Sequence, residues 1–318
     1  MSPTAPETRT IFVESPGARL AVDVDGDGPP AVLLCHGGPG GPDDFADLRA
    51  RLAELGIACA RFDQRGVHRS ENRDGRWDID AYAEDVEAIR EALGVTSLVI
   101  FGHSWGGVVA RAWAKAHPER VRGLLLASPS AAVGPAWREM EAQVMAYLRR
   151  RVSFGTWIVI GLWSLVAMIP GRIGSWGMGR VYAHVMRAYT GQREVPGWVR
   201  HSSARSAHLS RVAIRKIPAD ALDVLGLPPG TPARAVFGDD DIYGPIAQRF
   251  AETATELETT FLPHCGHVLW RDAPEAWDRW LVDGLAACGL LEASRSPRSH
   301  VPAATARGTA PSATRGDT

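Results

Sequence analysis

The sequence predicts an α/β protein, with a mostly parallel sheet and helices on both faces. Short apolar, β-branched runs alternate with longer segments of helical period, the pattern of a parallel sheet covered on both sides. The chain has 318 residues, 45% of them hydrophobic, which is enough to bury a core of this kind. That length exceeds a usual single domain by about one insertion. The insertion can be placed, because the alternation stops near Ala127 and resumes near Ala233.

The elements follow in order. Runs at 10–14 and 18–24 read as an edge hairpin, and 31–35 as a buried strand. Residues 45–55 read as a helix, 57–62 as a strand and 79–93 as an amphipathic helix. A strand at 97–101 leads into a helix at 108–115, and Val121–Ala127 is the next strand. Ala233–Gly238 and 259–263 are the last strands, with a helix near 248–252 between them. A helix at 274–288 closes the core, with Trp277 and Trp280 packing inside. These assignments divide the chain into a core of 10–133 and 221–290 and a helical insertion of 134–220. Residues 1–9 are expected to be flexible. Residues 291–318, rich in Ser, Arg, Pro, Ala and Thr, are expected to be a disordered tail.

Composition excludes some classes. The 35 basic and 36 acidic residues nearly cancel, so nothing argues for a nucleic-acid partner. Cys35, Cys59, Cys265 and Cys288 form no paired framework, which suggests reduced thiols and a cytoplasmic location. The opening residues have neither a basic start nor an apolar stretch, so no signal peptide is expected.

The chemistry centres on Gly102-His103-Ser104-Trp105-Gly106-Gly107, a G-x-S-x-G match between a strand and a helix. A turn this tight excludes side chains beside the serine and pushes its hydroxyl out at the strand end. Ser104 is therefore the candidate nucleophile. It needs a base, and the base needs an orienting acid. Asp239, Asp240 and Asp241 follow one strand, and His264 and His267 follow the next, giving the order Ser, Asp, His. An Asp or a His after a strand is by itself more often structural; three such groups in this order reverse that reading. The loop His36-Gly37-Gly38-Pro39-Gly40-Gly41-Pro42 lets backbone N–H groups approach a developing negative charge. Candidate oxyanion donors are the N–H of Trp105 and that of Gly38, with Gly37 as the lesser choice. A phosphate cradle is disfavoured because no Lys-Ser/Thr pair follows.

The HGGPGG loop, Phe62-Asp63-Gln64-Arg65-Gly66 and the Ser104 motif together resemble the proline iminopeptidase branch of the α/β-hydrolase superfamily. The likeness covers 10–133 and resumes at 231–288. It implies the α/β-hydrolase fold with a helical cap insertion, and a serine hydrolase with a catalytic triad. It selects Asp241, three residues after the strand-end Gly238, as the acid, and His267, in a Gly-His pair, as the base. It also implies that Asp63 and Arg65 pair to hold the loop beneath the site. His68 stands where relatives carry a small residue.

The insertion departs from the family. Between Ala136 and Asp220 there are 13 basic and four acidic residues, a net +9 against −10 for the rest. A solvated face complementing an acidic body is the plain reading; attraction of an anionic substrate or membrane surface is the sharper one. Residues 152–171 contain no charge and lie between Arg149-Arg150-Arg151 and Arg172. The length approaches a membrane span, but both ends must return to one sheet. An apolar roof over the substrate is the primary reading and membrane-surface contact the lesser one. Trp157, Trp163 and Trp176 are expected to line that roof. The resemblance implies an acidic receptor for a substrate ammonium, for which Glu194 or Glu139 is the candidate in a cap otherwise poor in acids.

The expected function is hydrolysis of an ester, amide or lactone of a small, partly apolar metabolite through an acyl-enzyme. Proline iminopeptidase activity on a short peptide is the alternative. A non-hydrolytic cyclase or transacylase step on the same scaffold is a third reading, favoured by a dry cap. No metal or organic cofactor is expected, since the histidines lack acidic or thiolate companions at ligand spacing.

Overall fold

The computed structural model describes residues 8–41, 45–190 and 201–291. The segment 1–7 and the tail from 292 lie outside the described residues, as does Glu194.

Nine strands form one sheet: β1 (Thr8–Ser15), β2 (Ala18–Asp25), β3 (Val32–Cys35), β4 (Cys59–Phe62), β5 (Glu71–Asn72), β6 (Leu98–His103), β7 (Val121–Ala127), β8 (Ala233–Gly238) and β9 (Glu258–Leu262). Their order is β1-β2-β4-β3-β6-β7-β8-β9, with β5 paired to β2. β1, β4 and β5 run antiparallel to β2, and every other pairing is parallel. The first strand begins at Thr8, earlier than the sequence pattern suggested. Its polar residues are engaged: the Thr8 and Thr10 hydroxyls donate to Asp25 and Asp23, both at 2.6 Å. The two-residue β5 was not expected, because so short a segment carries no periodicity.

Both faces of the sheet are buried, and β6 shows how. Leu98 and Ile100 pack with Val108 and Val109 of α3 (Trp105–Ala116) and with Val86 and Ile89 of α2 (Ile79–Ala92). Val99 and Phe101 face the other way, toward Leu48 and Leu52 of α1 (Ala46–Glu54) and Trp277, Trp280 and Leu281 of α10 (Pro274–Ala287). This period-two alternation with both faces apolar is why parallel strands read as continuous hydrophobic runs. Each fully buried side chain of this type contributes roughly 1.5–3 kcal/mol. The α2 start is fixed by Asp78, whose side chain accepts from the Ala81 N–H at 3.0 Å.

Asp63 and Arg65 do not pair with each other. Arg65 makes a two-pronged bond with Asp85 of α2, both contacts at 2.8 Å and both side chains fully buried. Asp63 instead accepts from Arg69 at 2.7 Å and lies 3.2 Å from His68 Nδ1. The turn sends the guanidinium inward against a helix twenty residues away, a relation that sequence proximity conceals.

Between β7 and β8 lie α4 (Trp137–Arg151), α5 (Phe154–Ala167), α6 (Arg172–Thr190) and α7 (Ala204–Ile214). α5 and α6 form a hairpin packed very closely. A Cβ on Gly174 would fall 1.9 Å from the Ile169 carbonyl oxygen, so only glycine permits this approach. After β8 come α8 (Pro245–Thr253), β9, the short α9 (Leu269–Asp272) and α10.

Candidate active site

Ser104 joins β6 to α3 with φ 54° and ψ −121°, a conformation that L-residues rarely adopt. The surroundings enforce it. The Ser104 N–H donates to the Ala127 carbonyl at 3.2 Å, and its own carbonyl accepts from Ser130 at 2.8 Å and Gly107 at 2.9 Å. A side chain on Gly106 would meet the Cys35 carbonyl oxygen at 1.9 Å, so glycine is obligatory where the helix start crosses β3.

His267 follows β9 on the loop before α9, and its Nδ1 lies 3.3 Å from both carboxylate oxygens of Asp241. Asp241 follows β8 at the neighbouring strand end and is buried. Burial opposes its ionisation, but the facing His267 and the Tyr243 N–H, 3.0 Å from Oδ1, outweigh that and hold the carboxyl below its usual range. The carboxylate therefore orients the imidazole with its proton on Nδ1.

The Ser104 hydroxyl is not bonded to His267. Its partner is the Tyr243 hydroxyl at 3.2 Å, which also lies 3.0 Å from Ser130 Oγ. Burial pushes the Tyr243 hydroxyl up, so it stays protonated across the physiological range. The Tyr243 ring stands edge-on to the His267 ring, with centroids 5.2 Å apart. His103 also belongs to this cluster. Its Nε2 lies 3.1 Å from the His267 carbonyl, and only an N–H can donate to that oxygen. Burial and then the charge of His267 push His103 down to about 3, so the ring stays neutral. Neither Tyr243 nor His103 was singled out by sequence; the Tyr243 position two after Asp241 gives no signal of its own.

The proposed oxyanion donors share one clamp. Trp105 is the first residue of α3, where a backbone N–H has no acceptor within the helix. Gly37 and Gly38 line the cavity that Ser104 faces, and a Cβ on Gly37 would lie 3.2 Å from the Ser104 Cβ. Gln64 ties the two loops together. Its amide donates to the His36 carbonyl at 2.8 Å, and its carbonyl oxygen accepts from the Trp105 indole at 3.0 Å.

Ser104 and His267 open onto a cavity of about 1130 Å³, walled largely by apolar side chains of the helices between β7 and β8. Trp157 and Trp163 were expected in this wall and do not line it. The α5 face turned to the cavity carries Ile160, Ser164 and Ala167. Trp163 instead meets Trp176 edge-on at 4.7 Å, and the Arg149 guanidinium sits 5.5 Å from the Trp157 ring. Among the described residues Glu141 is the carboxylate that lines the cavity, and it is held by Arg215 and, at 3.7 Å, Arg211. Glu139 is not in the lining; it pairs with Arg249 at 2.6 Å.

The α/β hydrolase fold family model matches residues 30–155. Proline iminopeptidase of Clostridium botulinum is 30% identical over 140 residues, which is 42% of this chain and 46% of that protein. The match thus spans less than half the length of that relative. Among solved structures, a carboxylesterase of the thaumarchaeon Nitrososphaera gargenis superposes with a TM-score of 0.64 at 17% identity, over 88% of this chain and 99% of that one. A proline iminopeptidase-related protein of Thermus thermophilus gives 0.58 at 24% identity, over 89% and 98%. At these identities the structural likeness speaks for the fold. The motifs, the sheet order and these relatives agree: the chain has the α/β-hydrolase fold, and over its matched part it is similar to the proline iminopeptidase-like branch of that superfamily.

Proposed function

We propose that this chain is a serine hydrolase that cleaves an ester, amide or lactone of a partly apolar metabolite through an acyl-enzyme on Ser104. The observation that carries the reading is the strained Ser104 turn facing the same apolar cavity as His267, with Asp241 behind the imidazole. In the reaction Ser104 Oγ exchanges Tyr243 for His267 Nε2, gives up its proton there and attacks the substrate carbonyl carbon. The N–H groups of Trp105 and Gly38 hold the resulting oxyanion. His267 passes the proton to the leaving group as the carbonyl–leaving-group bond breaks. A water, deprotonated by His267, then attacks the acyl carbon, and as the Ser104 Oγ–acyl bond breaks His267 returns that proton to Ser104 Oγ and the acid is released. The helices between β7 and β8 act as the cap that keeps bulk water out.

The likeness to proline iminopeptidases favours a second reading, release of an N-terminal proline. The cavity lining weighs against it. A free ammonium needs an unpaired carboxylate, and among the described residues the lining carboxylate, Glu141, is already held by Arg211 and Arg215, while Arg205 adds positive charge. Kinetics on p-nitrophenyl esters of increasing chain length, beside proline p-nitroanilide, separate the two. The metabolite reading expects ester turnover that improves with chain length; turnover of the anilide alone overturns it.

A further inference from the structure

The outer side of the α5–α6 hairpin is apolar and uncovered. Phe154 is 68% exposed, Leu162 59%, Leu165 63% and Met168 78%, and Ile173 and Trp176 continue the face on α6. Scattered exposed apolar residues are ordinary, but a contiguous run on one hairpin marks a contact surface. The charge around it has one sign. Residues 142–190 contain six arginines and no carboxylate. Arg149, Arg150, Arg172 and Arg180 are exposed and have no ion-pair partner among the described residues. Arg180 lies 5.4 Å from the Trp176 ring and Arg149 5.6 Å from the Phe154 ring, so cations and aromatics share one rim.

We propose that this face docks the chain onto an anionic lipid surface. Apolar side chains flanked by arginines, with aromatic rings at the boundary, match the acyl region and the headgroups of such a surface. The contact is interfacial and not spanning. At fourteen residues α5 is roughly 21 Å long, short of the about 30 Å hydrocarbon core, and no described helix is long and apolar enough to cross a membrane. The same hairpin reaches the cavity. Met168, Ile169 and Pro170 at its turn are exposed and also line the chamber that contains Ser104. A lipophilic molecule in the leaflet would thus meet a continuous apolar path inward. A second copy of the chain is the competing occupant, but two such faces would bring like-charged arginine rims together.

The docking does not rest on the Ser104 chemistry, so it is measured on Ser104→Ala as well as on the unaltered chain. Co-flotation and tryptophan emission are followed with phosphatidylcholine vesicles, with and without phosphatidylglycerol. The expected result is binding that requires phosphatidylglycerol, a blue shift in emission and weakening with added salt. Arg150→Ala and Arg172→Ala each lower affinity about fivefold. Leu162→Glu with Leu165→Glu abolishes binding while leaving circular dichroism unchanged. Equal binding to both vesicle types, no binding to either, or a concentration-dependent dimer lost in the same double variant overturns the proposal.

Discussion

The Tyr243 hydroxyl bridges Ser104 Oγ, at 3.2 Å, and Ser130 Oγ, at 3.0 Å, linking the tight turn after β6 to the segment after β7. Tyr243→Phe keeps the ring and removes both bonds. A typical hydrogen bond is worth about 1 kcal/mol, and the one to Ser104 must be released before the serine meets His267, so kcat is expected to rise by up to roughly fivefold with KM little changed. Steady-state kinetics on an ester substrate checks this. Unchanged kcat would make the tyrosine a packing residue.

Gln64 spans the two loops that carry the proposed oxyanion donors. Gln64→Leu leaves the His36 carbonyl and the Trp105 indole N–H without partners in a buried setting. A loss of about 2–4 kcal/mol in urea unfolding is expected, with kcat falling more than KM rises. Retention of both stability and kcat would show that the loops hold their positions without the clamp.

Arg65 and Asp85 form a fully buried pair. Asp85→Leu alone strands a guanidinium and should cost about 3–5 kcal/mol. Adding Arg65→Met should restore part of that loss. A double variant no more stable than the single one would refute the pairing as the cause.

Acid should weaken the fold in two steps. His103 is held near 3 in the folded chain, below its ordinary value near 6.5. The unfolded chain therefore binds the extra proton first, and stability is lost as pH falls from about 6.5 toward 3, by up to about 1.4 kcal/mol per unit. Asp241 is also depressed, so its contribution is present above the usual carboxylate range and lost below it. His103→Gln should flatten the first step in unfolding curves measured from pH 7 to 4. An unchanged slope would contradict the buried neutral imidazole.

Much of this was legible in the sequence because local rules and the fold agree. Ala233–Gly238 is an apolar run ended by glycine, and it is β8 to the residue. The glycines around Ser104 were readable because a backbone crossing at 1.9 Å tolerates nothing else. What failed was tertiary. Asp63 and Arg65 are two apart in sequence, yet the turn separates them onto different partners. Trp157 and Trp163 sit on the apolar helix that was expected, but its cavity face belongs to Ile160 and Ser164. Tyr243 reaches Ser104 only because β8 ends beside the β6 turn across β7.

The central claim is that Ser104 is an activated nucleophile. The direct measurement is intact-mass labelling by a fluorophosphonate probe on the unaltered chain, Ser104→Ala and His267→Ala. The account predicts one adduct on the unaltered chain, located at Ser104 by peptide mapping, with none on Ser104→Ala and a strongly slowed reaction on His267→Ala. An adduct that persists on Ser104→Ala, or a native chain that does not react at all, would contradict it.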